Sequence, residues 1–86
     1  QNYPNPFNPS TQIRYDIAND EFVSIIVFDL KGSKIKTLVN VNQVAGKKSV
    51  HWDATDNHGR PVPTGMYVYT IQAGNFVQTK KMILVK

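Results

Sequence analysis

Asp53, Asp56, Asn57 and Gly59 crowd into one short loop. Oxygen donors of this kind are what a hard cation such as calcium takes as ligands. A full calcium shell needs roughly six to eight oxygens, and the spacing here does not match an EF-hand loop. The same residues have a local use: Asp and Asn side chains accept backbone hydrogen bonds in turns, and Gly59 supplies a positive φ. The turn reading is preferred, and neither a metal nor a cofactor is expected. His51 and His58 are the two histidines. Strand alternation sends His51 to the face opposite Trp52, and His58 falls in the loop, whereas zinc needs at least three ligands with orienting partners. Ser10, Ser24, Ser33 and Ser49 are the candidate hydroxyl nucleophiles, and none lies in a Gly-x-Ser-x-Gly turn. Asp16, Asp20, Glu21 and Asp29 occupy strand or turn positions and do not form a carboxylate pair flanking a cleft. The residues that could do chemistry are present singly, which predicts that the chain is not an enzyme.

Aromatic residues offer a second kind of chemistry. Trp52, Tyr67, Tyr69, Phe28 and Phe76 could stack against sugar rings, as on carbohydrate-binding sandwiches. Tyr67 and Tyr69 are the candidate stacking pair, provided that Met66 and Val68 face the core. The competing use is to fill a small core, where each buried ring contributes about 1.5–3 kcal/mol. Aromatics dominate the energetics of small cores, so the core reading is preferred.

The elements that must position these residues have period two almost throughout. Thr11 to Ile17 alternates Ile13, Tyr15 and Ile17 against Gln12, Arg14 and Asp16, the pattern of a half-buried strand. Asn19-Asp20 turns the chain. Phe22 to Asp29 follows, apolar on both faces and therefore central or covered. Lys31-Gly32 is the next turn. Lys34 to Val41 carries Ile35, Leu38 and Val39, whose broken alternation predicts a bulge. Lys47 to Trp52 sets Lys48, Val50 and Trp52 on one face. Asp53 to Thr64 is the longest irregular piece. Gly65 to Ala73 is a strong strand rich in aromatic and β-branched residues. Gly74-Asn75 is a hairpin turn, and Phe76 to Val85 returns. Six or seven short strands at this spacing predict an all-β fold, an immunoglobulin-like or fibronectin III-like antiparallel sandwich of about seven strands.

Residues 1–10 hold three prolines, at positions 4, 6 and 9. Proline fixes φ and lacks the amide donor, so this opening cannot be a central strand and is read as an extended lead-in from a preceding domain. Residues 11–86 are read as a single sandwich domain. With 86 residues and no cysteine, neither a disulfide nor a thiolate metal site supports the core. A chain of this size buries only roughly two-thirds of its unfolded surface, which leaves little for a deep cleft. The chain does not begin with Met and shows no leader, so it is taken as part of a longer polypeptide whose export signal lies upstream. No apolar run approaches the roughly 18 residues of a membrane-spanning helix. The net charge is +4, from eight lysines and two arginines that are scattered along the chain. Nucleic acid binding wants a clustered basic stripe, so it is not expected. The lysines are read as keeping strand edges soluble.

Several runs together resemble a known family across the whole chain. Asn2-Tyr3-Pro4-Asn5-Pro6-Phe7-Asn8-Pro9-Ser10-Thr11 and Ile13-Arg14-Tyr15 are similar to the start of the type A C-terminal sorting domains of the type IX (Por) secretion system. The similarity continues through Val27-Phe28-Asp29-Leu30-Lys31-Gly32, Leu38-Val39, Val50-His51-Trp52-Asp53, Asp56 to Val62, Gly65 to Tyr69, and Lys80-Lys81-Met82. Trp52 to Tyr67 is also similar to the immunoglobulin-like domain of flagellar hook-capping proteins; the opening Tyr-Pro-Asn-Pro favours the sorting domain. The resemblance implies a non-enzymatic module at the C-terminus of a cargo protein from a Bacteroidetes-like bacterium. It implies transit through the periplasm and recognition at the outer membrane by the type IX translocon, with the cargo then secreted or held at the cell surface. It further implies, for the better-known members, removal of the domain by a sortase-like peptidase. The alternatives are an accessory carbohydrate- or protein-binding domain of a secreted enzyme and a structural domain of hook-capping type.

The closing run Lys80-Lys81-Met82-Ile83-Leu84-Val85-Lys86 is the candidate recognition segment. Alternation puts Met82 and Leu84 on one face and Ile83 and Val85 on the other. One pair is expected in the core; the other must be covered by the lead-in or offered to a partner. Strand addition at a sheet edge, with backbone bonds giving affinity and alternate side chains giving selectivity, is the physical account proposed for that recognition.

Overall fold

The computed structural model describes residues 2–85. Seven strands follow one another: β1 (Asn2–Tyr3), β2 (Thr11–Ile17), β3 (Glu21–Asp29), β4 (Lys34–Gln43), β5 (Gly46–Trp52), β6 (Gly65–Ala73) and β7 (Phe76–Leu84). They form a three-stranded sheet in the order β1-β2-β5 and a four-stranded sheet in the order β4-β3-β6-β7, with every strand pair antiparallel. No helix occurs among the described residues. The all-β sandwich expected from period-two patterning is the fold observed. Four ends shift: β3 and β5 each begin one residue earlier, at Glu21 and Gly46, β4 runs on to Gln43, and β7 stops at Leu84, leaving Val85 beyond the strand.

The burial of each strand follows its alternation. Ile13 and Ile17 of β2, Val23, Ile25 and Val27 of β3, and Tyr67, Tyr69 and Ile71 of β6 point between the sheets. Trp52 closes β5 and lies at the centre of an aromatic row. Its ring centroid is 5.6 Å from Phe7 and 5.5 Å from Tyr67, the latter edge-on. The indole N–H donates to the Thr55 carbonyl at 2.9 Å, so the ring is buried without orphaning its one polar atom. The bulge expected from the spacing of Ile35, Leu38 and Val39 is present: the β3–β4 register shifts between Ile25 and Ile26 and again between Val27 and Phe28. The β6–β7 hairpin turns through Gly74-Asn75, with Gly74 at φ 59°, the left-handed conformation that such two-residue turns require.

The proline-rich opening is seated on this framework. β1 is an edge strand, where proline neighbours are tolerated, and pairs Asn2 with Ile13 and Tyr3 with Gln12. The Asn2 side-chain amide donates to the Pro4 carbonyl and to Thr11 Oγ1, each at 3.1 Å, and the Thr11 hydroxyl donates to the same carbonyl at 2.8 Å. The chain then crosses to the other sheet. Phe7 forms a parallel bridge with Leu84, and its ring enters the core.

Candidate functional site

The last strand and the opening segment build one site together. Met82 and Leu84 are fully buried, whereas Ile83 and Val85 remain 38% and 44% exposed. On the outer side of β7, the Phe7 amide donates to the Ile83 carbonyl and the Val85 amide to the Phe7 carbonyl, both at 2.9 Å. Asn5 completes this seam. Its Oδ1 accepts from the Ile83 amide at 3.0 Å, and its Nδ2 donates to the Lys81 carbonyl at 3.4 Å. The side-chain amide thus stands in for a peptide group of a neighbouring strand.

Every second residue of an edge strand turns its amide and carbonyl outward. Lys81 and Ile83 do so, and by the same parity Thr79 and Val77 do as well. Among the described residues nothing bonds to the outward groups of Thr79 and Val77. The edge is therefore closed from Lys81 to Val85 and open from Val77 to Thr79. Exposed Phe76 and Val77 flank the open part. Across the outer sheet face, Met66 pairs with Ile83 and Val68 with Lys81, and Phe28 lies beside Val68. These side chains make a half-exposed apolar strip next to the Lys81 ammonium.

The candidate recognition residues are thereby sorted. Met82 and Leu84 belong to the core, because alternation turns them between the sheets, and a partner of the folded domain cannot touch their side chains. Lys81, Ile83 and Val85 are accessible and Lys80 is half-buried. Lys86 lies outside the described residues. Asn5 and Phe7 were missed by the sequence argument. An aromatic residue between two prolines was their available signal, since a solvated linker has no use for one.

Tyr67 and Tyr69 require a correction as candidate stacking residues. Tyr69 is fully buried and Tyr67 is 5% exposed, while Met66 and Val68 take the outer face. The Tyr67 hydroxyl donates to the Pro63 carbonyl, a tyrosine corner at the entry to β6. Burial raises the Tyr67 phenol above its ordinary value, with a smaller push from the Asp29 carboxylate, and burial alone raises Tyr69. Among the described residues the Tyr69 hydroxyl has no hydrogen-bond partner.

The carboxylates hold turns. Asp56 Oδ1 accepts from the amides of His58 and Arg60 at 2.9 and 3.0 Å, and Oδ2 accepts from Arg60 Nε at 3.2 Å. The Arg60 amide is the main cause of its lowered pKa. Asp53 is lowered chiefly by the Thr55 hydroxyl, which donates to it at 2.5 Å, and Lys36 Nζ donates to that hydroxyl at 2.9 Å. Asp29 Oδ1 accepts from the amides of Lys31 and Ser33, and Asp20 Oδ1 from that of Ala45. Asn57 caps β4 differently from Asn5 on β7, with its backbone amide and its side-chain oxygen. Its amide donates to the Ile35 carbonyl at 3.0 Å, and its Oδ1 accepts from the Thr37 amide at 3.1 Å. His51 and His58 are exposed and lie on different elements. Among the described residues no three His, Cys, Asp or Glu side chains are grouped to hold a metal ion.

Comparison with solved structures supports the fold. The chain is similar to part of dimeric latent PorU from Porphyromonas gingivalis, with a TM-score of 0.75 and 23% identity over 99% of this chain and 9% of that one. It is similar to part of PorZ, described as an essential bacterial surface component of the type-IX secretion system of P. gingivalis, with a TM-score of 0.72 and 17% identity over 100% of this chain and 11% of that one. It is also similar to FlgD from P. aeruginosa, with a TM-score of 0.67 and 24% identity over 86% of this chain and 58% of that one. The chain thus spans less than two-thirds of each of these proteins. No curated protein matches it. The model of the family described as secretion system C-terminal sorting domain matches residues 1–86, from the proline-rich opening to the closing strand, and the chain belongs to that family.

Proposed function

We propose that this domain is the address by which a cargo protein fused ahead of it is taken across the outer membrane by the type IX translocon. The match of the whole chain to the sorting-domain family is the observation that carries this reading. The proposed contact surface is the edge and outer face of β7: the open backbone of Val77 to Thr79, the side chains of Lys81, Ile83 and Val85, and Met66 beside Ile83, with half-buried Lys80 at the margin of the inner face. Backbone groups on an open edge bind an added strand without regard to sequence, and the lysines with the apolar strip give selectivity. A sortase-like peptidase acting before the domain, and a final location secreted or at the cell surface, complete the proposal. No helix among the described residues is long and apolar enough to cross a membrane.

The test is a reporter fusion in a bacterium that carries the system. The domain at the C-terminus should deliver the reporter to the surface or medium, and the same domain moved to an interior position should leave it in the periplasm. Ile83→Lys with Val85→Lys changes only half-exposed side chains and should lower delivery about tenfold while the domain stays folded, as expected when central contact residues are lost. Delivery unchanged in both variants overturns the reading.

A further inference from the structure

The first strand is short for its place. β2 offers seven residues to β5 on one side, but only Gln12 and Ile13 are paired with β1 on the other. Among the described residues, no strand lies beside that flank beyond Ile13. It borders a cleft of about 560 Å³ between the sheets, lined by Asp16, Ile17, Ala18, Glu21, Ala73 and Phe76. Phe76 is 55% exposed there although it lies in the sandwich's own hairpin. The direction of the chain points into this gap. Asn5 bonds to β7 at Lys81 and Ile83 and Phe7 at Leu84, so moving backward along the opening means moving up β7 toward Phe76.

We infer that the cargo-side polypeptide immediately before Asn2 extends β1 along the free flank of β2 and fills the cleft over Phe76. The occupant is a segment of the same polypeptide; this rests on the reading that a cargo precedes the domain, and the similar regions of PorU and PorZ are likewise only 9% and 11% of longer chains. The Asn2–Ile13 pair sets the register. Continued backward, it aligns the residue two before Asn2 with Tyr15 and the residue four before Asn2 with Ile17. Buried Asn2 and Ile13 share the inward face, so these two upstream positions also face inward and should be apolar or β-branched. The single residue between them faces outward, opposite exposed Asp16. The junction between cargo and address is then a strand of the domain, held by backbone bonds, and not a free tether.

Hydrogen exchange on the full-length parent tests this. Amides in Arg14–Ile17 should exchange about tenfold more slowly in the parent than in a variant whose four residues before Asn2 are replaced by Gly-Ser-Gly-Ser, read as a ratio to exchange in β3 and β6 so that global stability cancels. Equal ratios overturn the inference. Protection that moves to Val77–Thr79 shows that the segment has joined the other sheet and overturns the register. Protection that rises with protein concentration shows a second copy on the flank and also overturns it. Surface delivery of the parent is scored separately: lost delivery with retained protection removes the sorting reading and leaves the strand in place.

Discussion

Tyr67 and Tyr69 stand two residues apart on the same face of β6 and have opposite consequences. The Tyr67 hydroxyl bonds the Pro63 carbonyl, whereas that of Tyr69 is buried with no partner among the described residues. Tyr67→Phe should therefore cost about 1 kcal/mol, the net worth of a typical hydrogen bond. Tyr69→Phe removes an unsatisfied group at nearly constant shape and should be neutral or stabilising by up to about 1 kcal/mol. Urea unfolding of the two variants checks both signs. Phenols raised by burial keep their contribution below their ordinary value of 10.0 and lose it as pH climbs through the higher folded value. Thermal melts should drop above about pH 10, less steeply in Tyr69→Phe. Phe7 is the third residue on which much rests. Phe→Ala in a core typically costs about 3–5 kcal/mol, and a domain of this length has about 4–13 kcal/mol in all. Phe7→Ala should leave the domain largely unfolded or melting far below the parent by circular dichroism.

At the scale of the strand, two asparagines close the two edges of the four-stranded sheet. Asn57 bonds Ile35 and Thr37 on β4, and Asn5 bonds Lys81 and Ile83 on β7. Unpaired edges invite pairing with other chains; the Asn5 side-chain amide supplies both a donor and an acceptor to block one, and Asn57 supplies its backbone amide and its side-chain oxygen. Asn5→Ala should lower stability by about 1–2 kcal/mol and Asn57→Ala, which loses one side-chain bond and keeps its backbone bond, by about 1 kcal/mol, with raised concentration-dependent aggregation in both, measured by unfolding and light scattering. The strands themselves were legible in the sequence because alternation of Ile13, Tyr15 and Ile17, or of Val23, Ile25 and Val27, has one physical cause and one reading. Pairing between Asn5 and Lys81 was not legible, because residues 76 apart meet only once the sandwich closes. The same holds for Phe7 against Leu84. Composition made the opening look like a spacer; its aromatic ring was the one local sign of a different role. Of the closing run, alternation gave the split between Met82 with Leu84 and Ile83 with Val85, but not which pair was buried.

For the molecule as a whole, acid sets a working limit. Asp53 and Asp56 are held below the ordinary carboxylate value of 3.8 by the Thr55 hydroxyl and the Arg60 amide respectively. Groups lowered in this way contribute stability above the unfolded value, and it is lost as pH falls through the lower folded values. The melting temperature should be level near neutrality and fall below about pH 4, and Asp56→Asn should flatten that fall. Neither end of the pH scale touches the seam between Phe7 and β7, whose bonds join backbone groups. That seam has a biosynthetic consequence. Phe7 is translated before its seat on β7, so a product truncated before Met82 lacks the strand that would receive it. Ribosomal stalling or a premature stop codon in the final stretch should thus yield a domain that never closes. If export depends on the closed form, a chain broken off inside this sandwich would be retained and degraded inside the cell, and closure of the seam would act as a check that synthesis had passed through β7.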